Sequence, residues 1–424
     1  MGVSPMRIEA AWTRRPCHAK MMTEPHNQLP KELSDVQRFA LLVSAGGFLI
    51  CLFGFLFSRQ DFFTSYLYAW LFFLGISLGS LALVMLHHLT GGNWGRPIRG
   101  ILESAMALVP LLAILFLPLL LGLHHLYEWA DPDRVAGSEI LQHKHAYLNI
   151  PFFIIRALIY FSAWSGLAIY MFRAGSRFQE APSPSLAAQM RSISAPGILF
   201  YGISMSFATV DWVMSRETHW YTTILGFIFL CGQALAAIAF AIIILRIIID
   251  LPPIPEHVNS RVLIDLGNLL MTLVILWSYM SFAQFLVQWS GNMRHEVTWY
   301  LRRGITWGNG WRVIGILLIV FHFFIPFVLL LFRYNKRHFN ILTAIASLVL
   351  IMRVVDLYWT VAPSSLQPDR GFYLSWITPF PLLAIGGIWL FCFIVLLRRR
   401  PLVSRLEGEP EPILSHGASA TPTA

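Results

Sequence analysis

Charge is what this 424-residue chain has least of: Asp, Glu, Lys and Arg make up only 12% of it. Ordinary soluble domains carry about 25%. With 56% hydrophobic residues and a mean hydropathy of +0.62, the composition excludes a soluble core of this size and implies an integral membrane protein. Cysteine is scarce too. Cys17, Cys51, Cys231 and Cys392 are scattered, with no CxxC or CxxCH, which argues against a disulfide framework, an iron–sulfur cluster or a covalently attached haem in this chain. Short alternating segments of about ten residues, the mark of a membrane barrel, are missing as well. The formal charge is +9, yet no basic and aromatic face accompanies it, so nucleic acid is not an expected partner.

Long apolar runs are abundant. They cover roughly 38–58, 61–88, 98–123, 147–171, 193–214, 221–248, 262–288, 311–332, 338–360 and 374–397. A helix needs about 20 apolar residues to cross a ~30 Å hydrocarbon core, and only helices or closed barrels satisfy the backbone there. The expected fold is therefore an all-α integral membrane protein of about ten transmembrane helices. Twenty of the 31 Lys and Arg fall on the side that holds both termini, nine on the opposite side, and Arg156 and Arg353 lie inside helices. The positive-inside rule then places both termini in the cytoplasm. Residues 1–35 read as a polar cytoplasmic tail broken by Pro5, Pro16, Pro25 and Pro30, without the apolar run of a cleavable leader. Residues 36–397 form the transmembrane domain, and 398–424 a disordered cytoplasmic tail.

A weak internal repeat is visible. The fifth span ends in Val210-Asp211-Trp212 and the ninth in Val355-Asp356-Leu357-Tyr358-Trp359. A separation of four spans implies parallel repeats about an axis along the membrane normal. Two four-helix bundles are expected, spans 2–5 and 6–9, with spans 1 and 10 peripheral. The loops 124–146 and 289–310 are long enough to fold back or to dock a partner.

An ionisable group inside the bilayer costs about 2.5–3.5 kcal/mol on insertion scales, so each one needs a reason. Near the cytoplasmic face the sequence places His87, His88, Glu103, Asp265 and Asn268. Around the middle it places Arg156, Gln233, Tyr279 and His322, and toward the outer face Asp61, His124, His125, His145, Asp211, Gln284, Arg353 and Asp356. Arg353 and Asp356, three apart, can pair on one helix face. Glu103, one turn inside its span, can snorkel to the interface. Arg156 and His322 have no charged partner on their own helices, which implies an inter-helical contact or a water-filled half-channel. Together, His87, Glu103, Arg156, Asp211, Asp265, His322, Arg353 and Asp356 are candidates for a discontinuous proton path, weighed against plain packing. His322 is the only deep histidine, so a bis-histidine haem is not expected. Nor is a metal site at His143, His145, His124 and His125, whose spacing matches no recognised site.

Several stretches together resemble a known family. Val210-Asp211-Trp212-Val213-Met214-Ser215 with His219-Trp220-Tyr221 is similar to a hallmark of the NrfD/polysulfide-reductase-type (NrfD/PsrC-like) membrane subunits of alternative complex III. Trp277-Ser278-Tyr279, Phe282, Gln284-Phe285, Trp289-Ser290-Gly291-Asn292 and Thr298-Trp299-Tyr300 resemble the second such subunit, the ActF type. So do His143-Lys144, Tyr147-Leu148-Asn149 and Val355-Asp356-Leu357-Tyr358-Trp359 after Arg353. The similarity spans about 35–397. It implies a non-catalytic membrane subunit of a quinol:cytochrome c oxidoreductase in a bacterial inner membrane, with proton half-channels. The implied partners are a sister NrfD-like subunit, an iron–sulfur (molybdopterin-like) subunit and multihaem c-type cytochromes. Those partners would hold the haem c and iron–sulfur clusters, with menaquinol or another quinol as a candidate ligand of this chain. The family's quinol site pairs a His with an Asp near the outer face, for which the nearest equivalents are His124 or His145 with Asp211. A quinol-binding anchor of a polysulfide- or nitrite-reductase-type complex shares the fold. A proton-coupled secondary transporter is the reading from a different class, and it requires matched helix breaks in the two halves. Pro110, Pro118 and Pro326 are not so placed.

Overall fold

The computed structural model describes residues 31–252, 254–304, 310–364, 372–400 and 403. Cys17, the prolines of the N-terminal tail and most of the C-terminal tail lie outside the described residues. Among the described residues, ten helices are long and apolar enough to cross a membrane. They are α1 (Ser34–Phe57), α2 (Arg59–Thr90), α3 (Arg99–Leu121), α4 (Ile150–Glu180), α5 (Pro184–Arg216), α6 (Leu225–Ile248), α7 (Ser260–Gly291), α8 (Gly310–Leu331), α9 (Phe339–Val361) and α10 (Pro379–Leu397). The protein is an all-α, multi-pass integral membrane protein, and the described residues contain no strand.

Caps and first-turn prolines, not hydropathy, set where several helices begin. Asn149 caps α4 by accepting from the Phe152 N–H at 2.9 Å, and Pro151 occupies the first turn. Ser183 caps α5 in the same way, accepting from the Leu186 N–H at 3.2 Å, with Pro184 next. At α10 the apolar run begins at Leu374, but the helix begins at Pro379, where the fixed φ of proline suits a first turn.

The helix α3 is broken into Arg99–Met106, Val109–Ile114 and Leu117–Leu121. Pro110 and Pro118 have no N–H to donate, so the ladder fails ahead of each. Phe116 N–H turns to Ala113 and Leu119 N–H to Phe116, which strips Leu112 and Leu115 of their usual donors. Two side chains of α2 replace them. Trp70 Nε1 donates to the Leu112 carbonyl at 2.9 Å and Tyr66 Oη to the Leu115 carbonyl at 2.9 Å. In hydrocarbon a freed carbonyl has no water to turn to, so such breaks require a neighbour with a donor.

Two helices form the centre. In α2, 89% of the most apolar window is buried, and in α6, 78%, against 22% in α7 and α8. They meet at Gly75 and Gly79, a small-xxx-small pair that lets backbones approach. A Cβ on Gly79 would lie 2.0 Å from the Gln233 carbonyl oxygen of α6. Around this axis the contacts recur four helices apart. Helix α2 packs on α3 and α5 as α6 packs on α7 and α9, and α4 meets α5 as α8 meets α9. Across the centre α5 touches α6 and α9 touches α2, while α1 lies along α10 at the edge.

Candidate functional site

The buried charges gather at the two ends of the helices. The long-loop end carries the segments 124–149 and 292–304. There Arg156 of α4 grips Asp211 of α5 at two points, Nε to Oδ2 at 2.9 Å and Nη2 to Oδ1 at 2.8 Å. Arg156 Nη1 donates to the Tyr147 carbonyl at 2.9 Å, and Tyr160 Oη donates to Asp211 Oδ2 at 3.1 Å. The guanidinium also lies over the rings of Tyr147 and Phe152, 3.9 and 4.4 Å from their centroids. A charge-assisted two-point pair is strong and directional. The sequence places Arg156 at mid-depth, but this contact holds it level with Asp211, toward the helix end.

In the other half the pair sits within one helix. Arg353 Nη1 donates to Asp356 Oδ2 on α9, and both residues are buried. The guanidinium packs onto Gly232 of α6, where an added Cβ would fall 2.3 Å from its central carbon. The first half thus places its arginine on the helix next to its Asp, and the second on the same helix.

Between these pairs the long loops build a third network that the sequence reading missed. Glu217 binds Arg302 and stands 3.8 Å from Arg303. Arg303 is 1% exposed; it donates to the Thr360 carbonyl at 2.7 Å and Ser364 Oγ at 2.9 Å, over the ring of Trp299. Burial lowers the pKa of Arg303, and Glu217 opposes that shift. Arg216 Nη2 donates to the Ser364 carbonyl at 2.8 Å. Lys144 Nζ, its pKa lowered by burial, donates to the Thr218 carbonyl at 2.7 Å. The burial of these loop arginines leaves no mark in the sequence, because it depends on packing against the end of α9. Beside this network lies a cavity of about 320 Å³, lined by Lys144, Tyr147, Val210, Met214, Glu217 and Trp220 among others.

At the opposite end Glu103 is buried, not snorkelling. Arg99 Nε holds Oε1 at 2.9 Å, and Arg400, from beyond α10, holds Oε2 at 3.2 Å. Gly175 of α4 leaves the room, since a Cβ there would lie 2.6 Å from Oε1. Arg99 Nη2 meets His88 Nε2 at 2.8 Å, and His88 Nδ1 meets Ser194 Oγ at 3.1 Å. His87 turns away, with Nε2 bonded to the Gly92 carbonyl at 3.0 Å and its ring against Trp94. Asp265 is half-buried, and Asn268 accepts from Lys336 Nζ at 2.7 Å. Mid-helix, His322 is 0% exposed and stacks on Trp277 at 4.2 Å.

The proton-path candidates therefore fall into separate groups: Arg156 with Asp211, Arg353 with Asp356, Glu103 with its arginines, His87 and Asp265 elsewhere at that same end, and His322 between the ends. His124 and His145 are both exposed, whereas the Asp211 carboxylate is enclosed by Arg156 and Tyr160. Among the described residues no three His, Cys, Asp or Glu converge to hold a metal ion. Compared with known proteins, the chain matches no family model and no curated protein.

Proposed function

We propose that the chain is a membrane subunit of a quinol-oxidising redox complex of the alternative complex III type, anchoring its partners and carrying protons part-way across the bilayer. The observation that carries this reading is the set of buried ionisable residues at both ends and in the middle of one helical core. A protein that merely packs has little use for such groups. Arg156–Asp211 and Arg353–Asp356 stand at one end, Glu103 at the other and His322 between them. The excess of Lys and Arg on the side of the termini supports a cytoplasmic placement of both, in a bacterial inner membrane. Haem c and iron–sulfur clusters belong in this reading to partner subunits. If quinol touches this chain, the cavity near Lys144 and Val210 is a better seat than the Asp211 carboxylate, which is already saturated.

A transporter finds less support. Its hallmark is matched helix breaks, but the breaks fall in α3 and α8, which do not occupy equivalent places in the two halves. Purification of the tagged chain from its native membrane in mild detergent tests the proposal. Recovery of multihaem cytochromes and an iron–sulfur protein supports it, and other reductase partners would support the polysulfide- or nitrite-type anchor. A chain that migrates alone contradicts it.

A further inference from the structure

Two ring nitrogens in the middle of a membrane helix have nothing to bond. His322 is 0% exposed, and neither Nδ1 nor Nε2 has a hydrogen-bond partner. The ring stacked against it, Trp277 of α7, buries its Nε1 without a partner as well. A neutral imidazole brings one donor and one acceptor, and indole one donor. Each left unmade in a buried place is a net loss to the fold. Phenylalanine at both positions would keep the stack and remove the whole cost.

The helix is loosened at this point. Residues Leu318–Phe324 of α8 form a π-helical turn, and Pro326 has no N–H for the His322 carbonyl four residues before it. Turns of this kind are where water or a side chain enters a helical ladder. The orphaned groups also continue in one direction. Gln284 stands seven residues beyond Trp277, on the same face of α7 and about 10 Å up its axis. Its Oε1 is buried and unpaired, and the side chain lies near Tyr300 at the long-loop end.

From this geometry we infer that ordered water binds between α7 and α8 at His322 and Trp277, and extends past Gln284 toward Tyr300. Charge selects the occupant. Arg353, within electrostatic reach of His322, is paired with Asp356 on its own helix, so no net charge beside the ring favours an ion of either sign. Water satisfies donors and acceptors alike, and buried water characteristically makes two to four such bonds. The inference deepens the proton-path reading and rests on it for its purpose: the water column is the long-loop half of the path, with His322 at its inner end.

Hydroxyl-radical footprinting by X-ray pulses, on the chain purified with its partners, tests the site directly, because radicals born from bound water oxidise the side chains beside it. Trp70 and Trp389 are the controls, buried like Trp277 (0% and 1% exposed against 7%) but with Nε1 bonded to the Leu112 carbonyl at 2.9 Å and Ser77 Oγ at 3.0 Å. The inference expects Trp277 to be oxidised several-fold faster than either, and His322→Phe to bring it down to their rate. Trp277 oxidised no faster than Trp70 in the unaltered protein overturns it, without recourse to the variant. Fast labelling in vesicles that pass no protons upholds the water site and counts against the proton path alone.

Discussion

Arg156 and Asp211 are joined across two helices by a pair of hydrogen bonds of 2.9 and 2.8 Å, with 6% and 1% of the residues exposed. Each charge makes the other tolerable in a medium that solvates neither. Breaking such a pair from one side strands a buried charge, at a typical cost of about 3–5 kcal/mol. Arg156→Ala should therefore lower the thermal stability of the purified protein more than Arg156→Ala combined with Asp211→Ala. A double variant less stable than the single one would mean that the pair is held together by something other than mutual neutralisation.

The Arg353–Asp356 pair should follow the same rule, since both members lie on α9 and Gly232 clears the space for the guanidinium. Arg353→Ala alone should be more damaging than its combination with Asp356→Ala. Melting curves of the three proteins decide it.

Two truncations one residue apart separate the C-terminal tail from its anchor. A chain ending at Arg400 retains the ion pair with Glu103 and the hydrogen bond from Arg400 Nη1 to Ser176 Oγ at 2.8 Å. A chain ending at Arg399 strands Glu103 beside Arg99 alone and should lose yield and thermal stability. Equal behaviour of the two would show that Arg400 contributes nothing in the membrane.

Close approach of α2 and α6 depends on Gly79, where a side chain would collide with backbone rather than with a movable side-chain tip. Gly79→Val should abolish accumulation of the folded protein. Gly46→Ala, at a site with nothing within 4 Å, should leave it unchanged and serves as the control.

Trp70→Phe removes the donor that serves the Leu112 carbonyl where α3 breaks, while preserving most of the ring packing. The unpaired carbonyl should cost about 1–3 kcal/mol. A stability equal to that of the unaltered protein would show that water reaches the break.

What the sequence discloses and what it withholds divide along one physical line. Hydropathy is local, so the ten spans are legible, as are the breaks at Pro110 and Pro118, where a missing N–H removes a rung of the helix. Arg353 with Asp356 is legible for the same reason, being one turn of one helix. The partner of Arg156 is not, because Asp211 lies 55 positions away and only packing of α4 on α5 brings it near. Glu103 is misread as snorkelling because Arg400, which meets it, follows the last span and looks like solvated tail. The start of α5 is not legible in hydropathy, because its cap Ser183 lies ten residues ahead of the apolar run, nor is the end of α4, which continues past its run to Glu180. Trp277 is legible only as part of a motif: the unmet N–H of a tryptophan shows only when its neighbours are in place.

The central claim, that buried ionisable groups here move protons, is met most directly by quinol-driven pH change in vesicles holding the purified complex. The account predicts that Asp356→Asn lowers the number of protons moved per electron while uncoupled quinol oxidation and the subunit composition persist. An unchanged proton-to-electron ratio in an intact complex would contradict it and return Asp356, with Arg353, to a purely structural role.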